Sequence, residues 1–310
     1  MKKIILIVIG LLSFCELVAQ DLDVKPAFEH LVNIPKVRDF TLNATGNEAY
    51  LTIQSPMEEI SVIGRLKKID GVWSEPEIVS FTGDYFDLEP FLSYDGLRLY
   101  FVSNRPLEDS VKKEKDFDIW YVERKNTTTE WSKAMNLGKT VNTAEDEFYP
   151  SLAKNNNLYF TRNSAFSDNK DDIYFCKWNK LTYEKATAMN DSINSGGYEF
   201  NAFIAPDESF LIYTGYNRKD TYGSGDLYIT YQKTDKTWTS AKNMGKEINS
   251  PQMDYCPFYD VNQKTLYFTS KRSELVNKKT KDYNSLLQYL NSYSNGLSRI
   301  YKVQMDLPTR

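Results

Sequence analysis

Four acids recur at one position along the 310-residue chain: Asp87, Glu147, Glu199 and Asp254. Each stands three residues before a proline, or before Ala202 in the third case. Carboxylates repeated in this way and gathered at the mouth of a ring would form an acidic rim for a cation, a basic peptide or a sugar. Two of them facing one cleft could also act as the paired carboxylates of a glycosidase. The competing assignment is structural, with each carboxylate capping backbone N–H groups in its own turn. Recurrence in nearly every copy favours capping, because structural needs repeat along a chain and substrate contacts rarely do. The four acids are carried forward as candidate binding residues at the channel mouth, with no catalytic residue assigned.

Other chemistries are closed off by composition. The chain has one histidine, His30, read as a surface or edge-strand residue near the N-terminus, so Ser-His-Asp and Cys-His catalysis lack a supported histidine and histidine-rich metal sites lack their ligands. The acidic loop Ser167–Asp172 lacks the spacing of an EF-hand, and neither a metal nor a cofactor is expected. A formal net charge of −4, with both signs mixed along the chain, argues against a nucleic-acid groove.

The N-terminus reads as an export signal. Met1-Lys2-Lys3 and the apolar run Ile4–Phe14, ended by Glu16, form a basic and then a short hydrophobic segment, too short to span a bilayer. Residues 1–19 are taken as a signal peptide and 20–310 as the folded domain. The protein would then be exported to the periplasm, the cell surface or the medium. The rival is a lipoprotein signal lipidated at Cys15, the only membrane tether the sequence offers. Cys176 and Cys256 fall in different repeats and are expected to be buried free thiols.

The acids must be positioned by repeated strands. Aromatic residues make up 14% of the chain, which leans toward β-structure. Five copies of one unit follow each other. The strand cores are Ala49–Ile53, Leu99–Ser103, Leu158–Arg162, Phe210–Thr214 and Leu266–Ser270. Each follows an Asp-, Asn- or Gly-rich turn suited to a tight hairpin. A third strand opens at Asp118, Asp172, Asp226 and, in degenerate form, Arg299. A fourth block ends in Asn142, Asn194 and Asn249, at steps of 52 and 55 residues, and Trp73, Trp131 and Trp238 mark its aromatic position.

Four short strands per unit of about 50 residues is a propeller signature. The expected fold is all-β, a single β-propeller of four-stranded blades. Five blades are favoured, with six if a degenerate segment hides one. The chain begins with a partial repeat, Pro26–Asn33, in which Phe28 takes the Leu137 position and Asn33 the Asn142 position. It ends without a fourth block, so the N-terminal strand is expected to complete the last blade and close the ring. Two insertions interrupt the pattern, at 106–117 and at about 274–296. In the second, Tyr283, Leu286, Leu287 and Leu290 have helical spacing. A helix there is expected either to pack on its own blade as a lid or to face a partner.

The run Pro90–Arg105 followed by Asp118-Ile-Trp resembles the TolB-like β-propeller repeat, a WD-like family of exported bacterial proteins. The block from Trp131 through Asn136-Leu-Gly to Val141-Asn-Thr is similar to the version found in envelope proteins of Bacteroidetes-type bacteria. The resemblance covers roughly residues 26–305. It implies a propeller and a non-catalytic role in contacts with another envelope protein or a peptide, and it carries no shared catalytic residues. No pattern of the peptidoglycan-binding, tetratricopeptide or hydrolase domains of longer relatives is read in these residues, so roles that depend on those domains are not expected of them. The enzyme alternative is a propeller glycosidase. Ser93-Tyr-Asp-Gly looks like a sialidase Asp box, but Gly96 follows Asp95 directly, where that motif has an intervening residue.

Overall fold

A computed structural model describes residues 22–309 apart from 109, 111–112 and 165–169. The expected signal peptide, Cys15 and residues 167–169 of the acidic loop 167–172 lie outside the described residues. Five antiparallel sheets form the blades of one propeller. Their inner strands are Lys36–Leu42, Asp87–Leu92, Asp146–Leu152, Tyr198–Ile204 and Asp254–Asp260, which contact one another in a closed ring. The second strands are the predicted cores, and all five are buried (Tyr50, Leu99, Phe160, Leu211 and Phe268 among them). With both faces covered by neighbouring blades, these strands read as apolar runs rather than as an alternation.

Closure occurs as expected, in a different register. Lys25–Pro26 pairs with the third strand of blade five, Arg299–Gln304, through Lys25↔Lys302 and Pro26↔Tyr301. In blade two Asn136 holds the place that Pro26 holds here. The N-terminal segment therefore sits one residue out of the expected alignment: Ala27 matches Leu137, and Val32 matches Asn142. The shift has a cause in side-chain chemistry. In blades two, three and four the block-ending Asn142, Asn194 and Asn249 bond both N–H and C=O of one third-strand residue, at 2.8–3.1 Å. In blade five the buried Arg299 reverses the polarity of the contact, donating to Val32 O (3.0 Å) and Pro35 O (2.9 Å).

Outer-strand aromatics join blades, as expected. Trp131 Nε1 donates to Tyr50 OH of blade one (3.2 Å), and Trp238 meets Tyr159 of blade three edge-on. Cys176 and Cys256 are buried free thiols. The helix forms at Tyr283–Leu290, with Asp282 capping Ser285 N (2.9 Å), but it is not a packed lid: none of its eight residues is buried. Among the described residues no helix is long and apolar enough to cross a membrane.

Candidate functional site

Each repeat acid lies at or near the start of its inner strand and is fully buried. Each pairs with an arginine of its own blade: Asp87 with Arg105 (2.7 Å), Glu147 with Arg162 (2.8 Å), Glu199 with Arg218 (3.1 Å) and Asp254 with Arg272 (2.9 Å). Each also accepts from a hydroxyl in the preceding turn: Thr82, Thr143, Ser195 or Ser250. The arginines in turn lie over aromatic rings of the blade, such as Tyr174, Tyr228 and Tyr301, at 4.4–4.7 Å. The acid, the arginine and the ring form a repeated internal brace. Asp118 and Asp226 are similarly spent, accepting from Asn136 (2.6 Å) and Asn243 (2.7 Å).

The axis is lined by a different set. Every inner strand carries a bulge, and the extra residue has positive φ: Asp39 (56°), Glu89 (56°), Tyr149 (49°), Asn201 (51°) and Cys256 (53°). The residue after the bulge is proline in three blades. A bulge leaves one position out of the ladder, so a residue without an N–H is tolerated there. These five positions are equivalent by fold, yet they hold five different residues, all buried.

One substitution in the repeat accounts for Glu89. The bulge N–H groups of Asp39, Glu89 and Asn201 donate to a threonine hydroxyl on the second strand of the preceding blade: Thr269 (3.2 Å), Thr52 (2.9 Å) and Thr161 (3.0 Å). Blade two has Val102 at that position, so the Tyr149 N–H finds no hydroxyl and donates to Glu89 Oε2 instead (2.7 Å). Glu89 Oε1 accepts from Arg38 Nη2 (2.9 Å) and Asn201 Nδ2 (3.3 Å). Arg38 also bonds Asp39 (2.8 Å), reaches Cys256 Sγ (3.6 Å) and lies over the Tyr255 ring (5.2 Å). Sequence reasoning missed this cluster. Its signal was the Val in Leu99-Tyr-Phe-Val, where other copies have Thr, together with the variable residue before the bulge proline.

Burial pushes the Glu89 carboxyl up to about 8. The Arg38 charge opposes this and the Asp39 charge adds to it. Burial likewise pushes Glu147 up to about 7. A glutamate in the unfolded chain ionises near 4.5. Between that pH and the folded values, the native state holds protons that the unfolded chain has released, so these groups make stability fall as pH rises from about 4.5 to 8. Glu89→Gln removes one of these titrations, so its melting temperature should fall less than that of the parent between about pH 5 and about pH 8.5, whatever its amide costs against the donors around it. A variant destabilised equally at both would contradict this.

Two carboxylates at the axis, Asp39 and Glu89, differ from their repeat-mates as a catalytic pair would. Both are spent on one guanidinium, and a substrate would have to displace Arg38 to reach them. No group of three or more His, Cys, Asp or Glu gathers as metal donors among the described residues.

The two insertions leave the propeller on one face. All inner strands run the same way along the axis, so every connection from second to third strand emerges at the same end. Fourteen large apolar residues stand exposed among the described residues. Ten of them belong to these connections or their edges, including Met57, Leu107, Tyr222, Val276 and the helix residues Tyr283 (71% exposed) and Leu290 (53%).

No protein-family model matches the sequence, and no curated protein does. Solved structures match it by shape. The endo-arabinase of Bacteroides thetaiotaomicron aligns over 88% of this chain and 95% of its own, with 13% identity and a TM-score of 0.54. An α-L-arabinofuranosidase of Podospora anserina aligns over 89% and 92%, with 8% identity and a TM-score of 0.53. A protein assigned to TolB from Agrobacterium tumefaciens aligns over 76% and 69%, with 14% identity and a TM-score of 0.48. The likeness is one of fold. At these identities the two matches with TM-scores above 0.5 show a shared fold and assign no activity.

Proposed function

We propose that the chain is a non-catalytic, exported propeller of the TolB-like kind, a scaffold that binds another protein or a peptide in the bacterial envelope. The observation that carries this reading is the concentration of exposed apolar side chains on the face bearing the insertions. Clustered apolar surface of this kind marks interaction sites, whereas single exposed residues do not. The helix Tyr283–Leu290 leaves Tyr283 and Leu290 more than half exposed, in the manner of an anchor for a groove on a partner. The axial carboxyl groups support the same reading, since Asp39 and Glu89 are both held by Arg38.

The test places a photo-crosslinking residue at Leu107, at Leu286 or at Leu181 on the opposite face, in cells. Adducts with one defined protein from Leu107 and Leu286 but not from Leu181 are expected; equal yield from all three would sink the assignment. Tyr283→Asp with Leu290→Asp should abolish those adducts. Because both residues are more than half exposed, stability should change by no more than about 0.5 kcal/mol per substitution. A second reading, a glycosidase using Asp39 and Glu89, rests on their difference from the repeat. It requires turnover of a glycan that both Asp39→Asn and Glu89→Gln abolish.

A further inference from the structure

We infer that the channel mouth on the insertion face receives a carboxylate of the partner, carried on a segment that sets Asp or Glu beside apolar residues. This rests on the protein-binding reading and specifies what the partner must present.

Three cations meet at the seam of blades five and one, where the repeat has none. Arg38 stands where the other inner strands carry Leu88, Phe148, Phe200 and Tyr255. At the position of Lys36 the other blades have one charged residue, Asp146 of blade three, which accepts from Phe117 N (2.9 Å). Lys271, just beyond the second strand of blade five, takes the place of Gln54, Asn104, Asn163 and Tyr216, none of them charged. Its backbone N–H still donates to Met253 O of the inner strand (2.8 Å). Thr269, two residues earlier, turns its hydroxyl to Asp39 N of blade one, and a strand repeats its facing every second residue. Lys271 is therefore directed at blade one, where it faces Lys36, Glu58 and Arg38.

Two of the three cations are committed. Lys36 bonds Glu58 (2.6 Å), and Arg38 bonds Asp39 and Glu89. The Lys271 ammonium has no hydrogen bond or ion pair among the described residues. Burial, and after it the Lys36 charge, hold it below the usual lysine range, with Glu58 opposing. An incoming carboxylate would supply the acceptor it lacks. The group can be reached, because Lys271 is partly exposed and the side chains of Lys36 and Arg38 are 15% and 16% exposed.

The surroundings select the anion. One uncommitted ammonium suits a monoanionic carboxylate; a phosphate dianion would have to draw Arg38 away from Asp39 and Glu89. Phe148, Phe200 and Met253, each partly exposed, pack on Tyr149, Tyr255 and Cys256 beside the cations. Met57 and Ile60 stand exposed on the connection that carries Glu58. A small free carboxylate would leave this apolar surface uncovered, and a peptide with apolar residues beside its acid would cover it.

The test has two arms. In the first, short random peptides displayed on phage are selected on the purified protein and on Lys271→Gln, the amide that blade one carries at this position. Enrichment of Asp or Glu beside apolar residues is expected on the parent and not on the variant. A synthetic peptide of the enriched sequence should bind Lys271→Gln about tenfold or more weakly and Lys271→Arg as it binds the parent, and inorganic phosphate at millimolar concentration should not displace it. Lys271→Gln should melt no lower than the parent, whereas loss of a merely structural lysine would lower the melting temperature. In the second arm, Lys271→Glu should remove the adducts formed in cells from Leu107. Adducts that persist in Lys271→Glu, or selection of basic peptides, of neutral peptides or of none, overturn this inference and leave the protein-binding reading standing. No adducts from the parent would strike that reading, and this inference with it.

Discussion

Replacing Phe28 by alanine will lower the stability of the whole ring by about 3–5 kcal/mol. Phe28 follows the short closing strand and is 2% exposed. Its ring meets Phe40 (5.4 Å) and Trp73 (5.9 Å) of blade one, so a residue anchored to blade five is packed into its neighbour. Closure is non-covalent. Its polar bonds include two ladder positions, the bond from Ala27 N to Ile300 O (3.0 Å), the bond from Val37 N to Ser298 O (3.1 Å) and the two bonds donated by Arg299 to Val32 and Pro35. Apolar burial adds to them at the seam, and a cavity there removes both transfer energy and contacts. Urea unfolding with an unchanged slope would report the loss directly. A cost below about 1 kcal/mol would show that the ring is held shut elsewhere.

The second large effect is expected at the junction of blades one and two. Arg124 binds Glu48 through two bonds (2.9 and 2.7 Å), donates to Gly96 O (2.7 Å) and lies over Trp131 (4.4 Å). Glu48 also accepts from Tyr50 OH (2.8 Å), which in turn accepts from Trp131 (3.2 Å). Both charged residues are buried, at 8% and 6% exposure. Arg124→Met leaves the Glu48 carboxylate with Tyr50 and with Arg65 at 4.0 Å, too far to replace the lost bonds. Breaking a buried pair from one side costs about 3–5 kcal/mol, because the remaining charge is uncompensated. Glu48→Met combined with Arg124→Met should recover much of that loss. A double-mutant cycle measures the recovery, and strict additivity of the two single substitutions would refute the coupling.

These two sites differ in how far they can be read from the sequence. The closing strand could be anticipated, because an incomplete first repeat and an incomplete last repeat complement each other. Its register could not, because Arg299 replaced the repeated aspartate and inverted the hydrogen-bonding pattern that Asn142, Asn194 and Asn249 share. The Glu48–Arg124 pair joins residues 76 positions apart, and no local pattern marks it.

Strand order, blade number and ring closure were legible in the amino-acid order because they rest on local rules: apolar runs, turn residues and a period of about 50 residues. The helix at Tyr283–Leu290 was legible for the same reason, since spacing reports periodicity. That this face stays partly open to solvent was not, because exposure depends on what the rest of the chain brings near. The repeat acids Asp87, Glu147, Glu199 and Asp254 were conspicuous as a motif, and the fold uses each inside its own blade. The axial set of Arg38, Asp39, Glu89, Tyr149, Asn201 and Cys256 is the reverse case. Its members share no residue type. A bulge in each inner strand turns them toward one axis, and only closure of the ring makes them neighbours. Repetition shows in a sequence because it is local. The positions at which this chain departs from its own repeat acquire their meaning only when distant strands meet.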